Sequence, residues 1–194
     1  YAEAEKMEIA AFGVCPCHVI GPLLSANHQR PWVWQTRIGD MMEGYAHPRM
    51  FWNIVDVRDV AETQRLIAES PDNQNSERYN LVATDESGEV RQTELAAIMR
   101  KMYPDVAVAG VYREGKWRMG PLSVLEKAVT QLGLKPHTVE QTIRDNVDSL
   151  ITWGLIKPLI GGPDDFQQEG NDLGIASKWR PYEYPALDPD LKGT

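Results

Sequence analysis

Residues 8–22 read EIAAFGVCPCHVIGP. The first eight, through Cys15, are apolar on both faces of an extended chain, the pattern of a strand covered above and below in a parallel sheet. Pro16 cannot donate to a ladder, and Gly21 and Pro22 follow closely, so the segment from Cys15 to Pro22 is expected to leave the strand's C-terminal end as a loop. Such loops carry ligands in open α/β sheets. Upstream, AEAEKM at residues 2–7 has high helix propensity, so a helix end feeds the strand. The expected fold class is therefore α/β.

Downstream, Pro31 suits a first helical turn and Gly44 a C-terminal stop, with Trp34, Ile38, Met41 and Met42 at helical spacing between them. FWNIV at residues 51–55 predicts a short strand. Asp56 then caps a helix running to about Glu69, with Asp59 placed to reach back to the cap backbone. After a turn cluster at residues 70–76 comes a strand at residues 78–83 and a helix from Thr93, with Leu95, Ile98, Met99 and Met102 on one face. Ser123 with Glu126 and Thr138 with Gln141 form two capping boxes, and Gly133 and Gly154 are the matching stops, so helices are expected over residues 124–132 and 139–153. Residues 158–194 are rich in proline and glycine with little periodicity and predict an extended or disordered tail.

Composition narrows the function classes. Twenty basic against 28 acidic residues leave a net charge of −8 without a basic cluster, which argues against nucleic acid as a partner. No apolar run approaches the length of a bilayer span. The two cysteines, Cys15 and Cys17, provide no disulfide framework, so a reducing compartment is expected, the cytoplasm or an organelle lumen such as the plastid stroma. The chain begins at Tyr1 without a basic and apolar leader, which reads as a missing or removed N-terminus rather than a signal peptide.

The order of segments carries more than their types. CPCHVIGP at residues 15–22, IVDVRDVA at residues 54–61, then ERYN at residues 77–80, Glu94-Leu95 and Tyr103-Pro104 follow one another in a particular sequence. That order resembles the C-terminal half of the extended short-chain dehydrogenase/reductases, in the dihydroflavonol reductase and cinnamoyl-CoA reductase-like branch. There an NPxxVxGP-type loop ends a strand, a V-x-V-x-D-V-A segment opens the next helix, and G-R-Y, E-L and Y-P follow. The resemblance covers residues 1–157. Here Cys15 replaces the usual Asn, Glu77 replaces the Gly before Arg78, and the tail has no counterpart.

The resemblance implies the C-terminal part of a Rossmann-type NAD(P)-binding fold plus a small α/β substrate lobe over residues 1–157, with the irregular tail after it. It implies NADP or NAD as cofactor, with Pro16, Cys17, His18 and Val19 beside it. It also implies a small-molecule carbonyl substrate met by Gly21, Leu23, Trp34 and Asn53. No glycine-rich G-x-x-G-x-x-G turn occurs in the chain, and by the resemblance the catalytic Tyr/Lys pair precedes Tyr1, so no catalytic residue is assigned. Tyr112 and Lys116 satisfy Y-x-x-x-K, but Gly110, Gly115, Gly120 and Pro121 around them make a surface loop the better reading.

For the other candidates a plainer reading stands beside the functional one. Cys15 and Cys17 without a second Cys/His pair half-fill a tetrahedral metal site, and His28, His47 and His137 are scattered, so no metal is assigned. His18 either approaches the cofactor or packs. Trp32, Trp34, Met41, Met42 and Phe51 either line a cleft for a flat or thioester-linked substrate or form the lobe's core. Asn53 either reaches a substrate hydroxyl or satisfies backbone. Two functions follow: part of an NAD(P)H-dependent carbonyl reductase or epimerase-like oxidoreductase, or a non-catalytic scaffold of reductase ancestry. In the latter KWRPYEYP at residues 178–185 would be an arm that docks on a protein partner. A strand as apolar as residues 8–15 needs the missing N-terminal half or a partner chain over it. Leaving Ile9 and Phe12 uncovered would forgo about 3–6 kcal/mol, so the segment is expected not to fold stably alone.

Overall fold

A computed structural model of the chain describes residues 1–28, 34–46, 51–70, 77–82, 90–110, 125–161 and 180–181. It is an α/β structure whose strands pair mostly in parallel. Helix α1 (Ala2–Lys6) leads to β1 (Gly13–Pro16) and, after the single residue Cys17, to β2 (His18–Ile20). Helix α2 (Trp34–Met42), β3 (Tyr45–Ala46), β4 (Phe51–Trp52) and β5 (Ile54–Asp56) precede α3 (Val57–Glu69). Then come β6 (Arg78–Leu81), β7 (Val90–Arg91), α4 (Gln92–Met102), α5 (Glu126–Leu132), α6 (Val139–Thr152) and β8 (Arg180–Pro181). Strand β1 pairs β6 and β2 pairs β5, both in parallel, with His18 opposite Ile54 and Gly13 opposite Arg78. Strand β4 pairs β7 antiparallel. No helix among the described residues is long and apolar enough to cross a membrane.

Two cores result. One joins Ile20, Leu23, Ile38, Met41, Met42 and Ile54 to the apolar faces of α4 and α6. The other packs Val55, Ile67, Tyr79, Leu81, Leu125, Ala128 and Leu134 beneath β1, β6 and α5. Met41 and Met42 are fully buried in the first core, so the core reading holds for them; Trp32 and the side chain of Phe51 lie outside the described residues. On α4, Leu95 and Met99 are fully buried while Ile98 and Met102 pack at the margin, the face expected from their spacing.

Several expectations need correction. The strand predicted over residues 8–15 starts at Gly13. Glu8 N–H bonds Glu5 O and Ile9 N–H bonds Ala4 O, which closes a turn after α1. Glu8 takes φ 59° there, and Ile9 is left 51% exposed. Phe12, by contrast, packs against the second core. The strand predicted over residues 51–55 is two strands that serve different sheets, with Asn53 at the break. Asp59 does not reach back to its own cap; it accepts from His137 N–H at 2.9 Å, with the His137 ring nitrogen Nδ1 2.6 Å away. Helix α5 begins at Glu126 behind Leu125, which gives no side-chain cap, and Ser123 lies outside the described residues, as do Tyr112, Lys116 and His47. The tail is not wholly irregular: Ile160 bridges Val106 and Arg180–Pro181 pairs Tyr45–Ala46 in parallel.

Local signals hold where a cap or stop dominates. Thr138 Oγ1 accepts from Gln141 N–H and the Gln141 side chain returns to the Thr138 backbone, a complete capping box on α6. Gly133 stops α5 at φ 71°. Helices α2 and α6 approach closely at Gly39, where a Cβ would lie 2.7 Å from Ile156 Cγ2 and 3.2 Å from Leu150 Cδ1. Two substitutions read these features out by urea unfolding of the protein. Thr138→Ala is expected to cost about 1 kcal/mol. Gly39→Val is expected to cost about 1–3 kcal/mol through overpacking against Ile156 and Leu150.

Candidate functional site

The chain changes sheets at Cys17. Its own N–H still bonds Leu81 O of β6, at 3.1 Å, while the next N–H, of His18, bonds Asn53 O at 2.7 Å as β2 joins β5. In open α/β sheets ligands usually lie where strands part to different neighbours. The switch brings Pro16, Cys17, His18 and Val19 to the point where the two strand pairs part, with Asn53, 4% exposed, joined to His18 through its carbonyl. Trp34, at the first turn of α2, lies beside them. Its ring lies 3.5 Å from that of His18, centroid to centroid, tilted by 31°, and the Arg37 guanidinium sits 4.6 Å from the Trp34 ring centroid.

Burial, and then the nearby Arg37 charge, push the His18 imidazole down to about 4, so at neutral pH it is an uncharged ring. Burial pushes the Cys17 thiol up, which keeps it protonated. Neither group is poised for acid–base work at neutral pH. The wall can bind, orient and exclude water. Among the described residues no three His, Cys, Asp or Glu side chains gather as metal ligands do.

Beyond β2 the loop is fixed by its backbone. Gly21 has φ +130°, and a Cβ there would meet Val57 Cγ1 at 3.0 Å and Asp56 Oδ1 at 3.1 Å; only glycine fits without strain. Leu23 donates its N–H to Ser149 Oγ and accepts from Trp153 Nε1, both at 2.9 Å, while its side chain lies in the first core. Asp56, 1% exposed, caps α3 through Arg58 N–H and takes two further bonds from the Arg58 guanidinium, at 2.9 and 2.7 Å. Burial raises its carboxyl, but the Arg58 bonds and the Arg58 charge carry it below its ordinary value. Arg58 extends the tie to Asp145 of α6 at 2.7 Å.

Sequence reasoning missed the contribution of α6. Thr142, Asn146, Ser149 and Trp153 recur at spacings of 4, 3 and 4, one stripe of a helix, and the last three touch in turn the Gln35 carbonyl and both sides of the Leu23 backbone. The signal was present, a polar stripe beside the apolar positions Val139, Ile143, Val147 and Leu150. What the stripe would touch was not.

No family model and no curated protein matches the chain. Solved structures do. The NADPH complex of Gre2 from Candida albicans is 22% identical, with a TM-score of 0.54 over 72% of this chain and 43% of its own. Yeast methylglyoxal/isovaleraldehyde reductase Gre2, also complexed with NADPH, is 17% identical, with a TM-score of 0.58 over 79% of this chain and 50% of its own. Vestitone reductase from alfalfa (Medicago sativa L.) is 17% identical, with a TM-score of 0.58 over 80% of this chain and 48% of its own. The likeness is one of fold: the chain has the Rossmann-type α/β architecture of part of these reductases and spans about half their length.

The His18 wall makes stability depend on pH. Its folded value of about 4 lies below the ordinary value of 6.5 that applies when unfolded, so the unfolded chain binds the extra proton first. Its contribution is complete above the unfolded value and is lost as pH falls towards the folded one. The loss is on the order of 1–3 kcal/mol. Urea unfolding across this window is expected to show that decline in the wild-type protein and a flatter profile in His18→Gln; equal slopes would contradict the assignment. The Asp56 contribution is lost at lower pH and does not confuse the reading.

Proposed function

We propose that the chain is the C-terminal, substrate-lobe part of an NAD(P)H-dependent carbonyl reductase or epimerase-like oxidoreductase, of the dihydroflavonol reductase and cinnamoyl-CoA reductase-like branch. The observation that supports it most directly is the sheet switch at Cys17 with its aromatic wall, His18 against Trp34 at 3.5 Å, on a fold shared with NADPH-bound reductases. An uncharged, flat wall fits the ring end of a nicotinamide cofactor. Nothing in the sequence fits its pyrophosphate, because no glycine-rich turn is present. Pro16, Cys17, His18 and Val19 would hold that ring end. When bound, NADP or NAD supplies or accepts the hydride. Gly21, Leu23, Trp34 and Asn53 would face the carbonyl substrate, Gly21 and Leu23 by setting the loop and Trp34 by stacking. The catalytic proton donor would come from outside this chain.

The exposed apolar side chains of Met7 and Ile9, 66% and 51% exposed, mark where an N-terminal half or a partner chain would cover the segment leading into β1. A non-catalytic scaffold would use the same surface. The arm at residues 178–185 supports that second reading less than its composition suggested, since Arg180–Pro181 pairs with this chain's own β3.

The test is NADPH oxidation by the intact protein on aromatic aldehydes, CoA thioesters and flavanonols. Turnover of at least one class is expected from the intact protein, and none from residues 1–194 alone. An intact protein that binds no NADPH would rule the enzyme reading out in favour of the scaffold.

A further inference from the structure

Along the α6 stripe, one polar group has no use within the fold. Thr142 Oγ1 donates to Thr138 O, Ser149 bonds Leu23 N–H, and Trp153 bonds Leu23 O. Asn146 lies between them and is fully buried, yet its Oδ1 accepts no hydrogen bond among the described residues. Its Nδ2 makes one long bond, 3.4 Å, to Gln35 O. Exchanging the two amide atoms does not help, because it would set an oxygen against the Gln35 carbonyl. A buried acceptor without a donor is costly, and such groups in folded proteins call for a specific explanation.

Position supplies one. Gln35 follows Trp34, whose ring forms the wall with His18. Helix α6 packs against β5, which begins just beyond Asn53, and its Ser149 reaches the loop just beyond Gly21. Asn146 thus stands among the elements that carry Trp34, Asn53 and Gly21. We propose that Asn146 Oδ1 is a specificity determinant of this site, the acceptor for a hydroxyl or N–H donor carried by the substrate. The proposal rests on the reductase reading above and adds to it a chemical requirement: a donor on the substrate, away from the carbonyl that is reduced.

Asn146→Leu keeps the volume and removes the acceptor. The Gln35 carbonyl lies in the first turn of α2 and retains its intrahelical partner, so the variant is expected to melt at or above the wild-type temperature. With 4-hydroxycinnamaldehyde and cinnamaldehyde as probes, which differ by one donor, the intact wild-type protein should prefer the hydroxylated substrate. Asn146→Leu should raise KM for it about tenfold, a loss in the range of one hydrogen bond, leave kcat within about twofold, and leave cinnamaldehyde unchanged. Asn146→Gln should restore part of the preference. Equal effects on both probes, or a melting temperature lowered by several degrees, would overturn the proposal, since the amide would then serve the fold. If the wild type reduces neither probe and binds no NADPH, the reductase reading fails. Ligand-free melting then still judges Asn146: an unchanged or higher value leaves it a free acceptor, and a lower one assigns it to the fold.

Discussion

The carboxylate of Asp56 is 1% exposed at the point where β5 ends and α3 begins, and the site is arranged around it. A buried charge survives only if its oxygens are satisfied. Arg58, two residues on, delivers three hydrogen bonds. Because the carboxylate cannot move, the loop after β2 must pass it without a side chain, and Gly21 does so at φ +130°. Through Arg58 the same anchor reaches Asp145 of α6, and α6 grips Leu23 from both sides. One carboxylate thus couples the helix start, the loop and the helix behind the site.

Not every ionic contact in this network matters equally. Arg58 and Asp145 are each 37% exposed at their side chains, so their 2.7 Å pair is a surface bridge worth at most about 1 kcal/mol. The pairs Lys6 with Glu3, Arg65 with Glu62 and Glu69, and Arg144 with Glu140 are solvated and follow helix spacing. The contact between Asp59 and His137 differs, because Asp59 is 2% exposed and joins the start of α3 to the residue preceding the α6 cap. The buried side chains of Asp56 and Asp59 thus both tie the start of α3 to the α6 region.

The His18–Trp34 wall is chemically quiet. A desolvated neutral His18, a protonated Cys17 and the tilted Trp34 ring give shape and dryness without a proton donor.

The sequence by itself determined whatever depends on a few neighbouring residues. The Thr138/Gln141 capping box, the Asp56 cap, the stop at Gly133, the buried face of α4 and the α/β class were legible because caps, φ > 0 positions and helical periodicity are local. The loop expected over residues 15–22 was not legible: β1 continues through Pro16 and β2 takes up His18–Ile20 with only Cys17 between, because each half finds its own parallel neighbour, β6 for the first and β5 for the second. Only tertiary structure decided that Glu8 and Ile9 turn back onto α1 and that the strand begins at Gly13, since a parallel strand exists only where a neighbour supplies the ladder. It alone decided that Asp59 serves His137, 78 residues away, and that the Thr142-to-Trp153 stripe faces the loop. It also recruited Arg180–Pro181 to β3. Those pairings are set by which surfaces meet in space, and no local pattern of side chains encodes them.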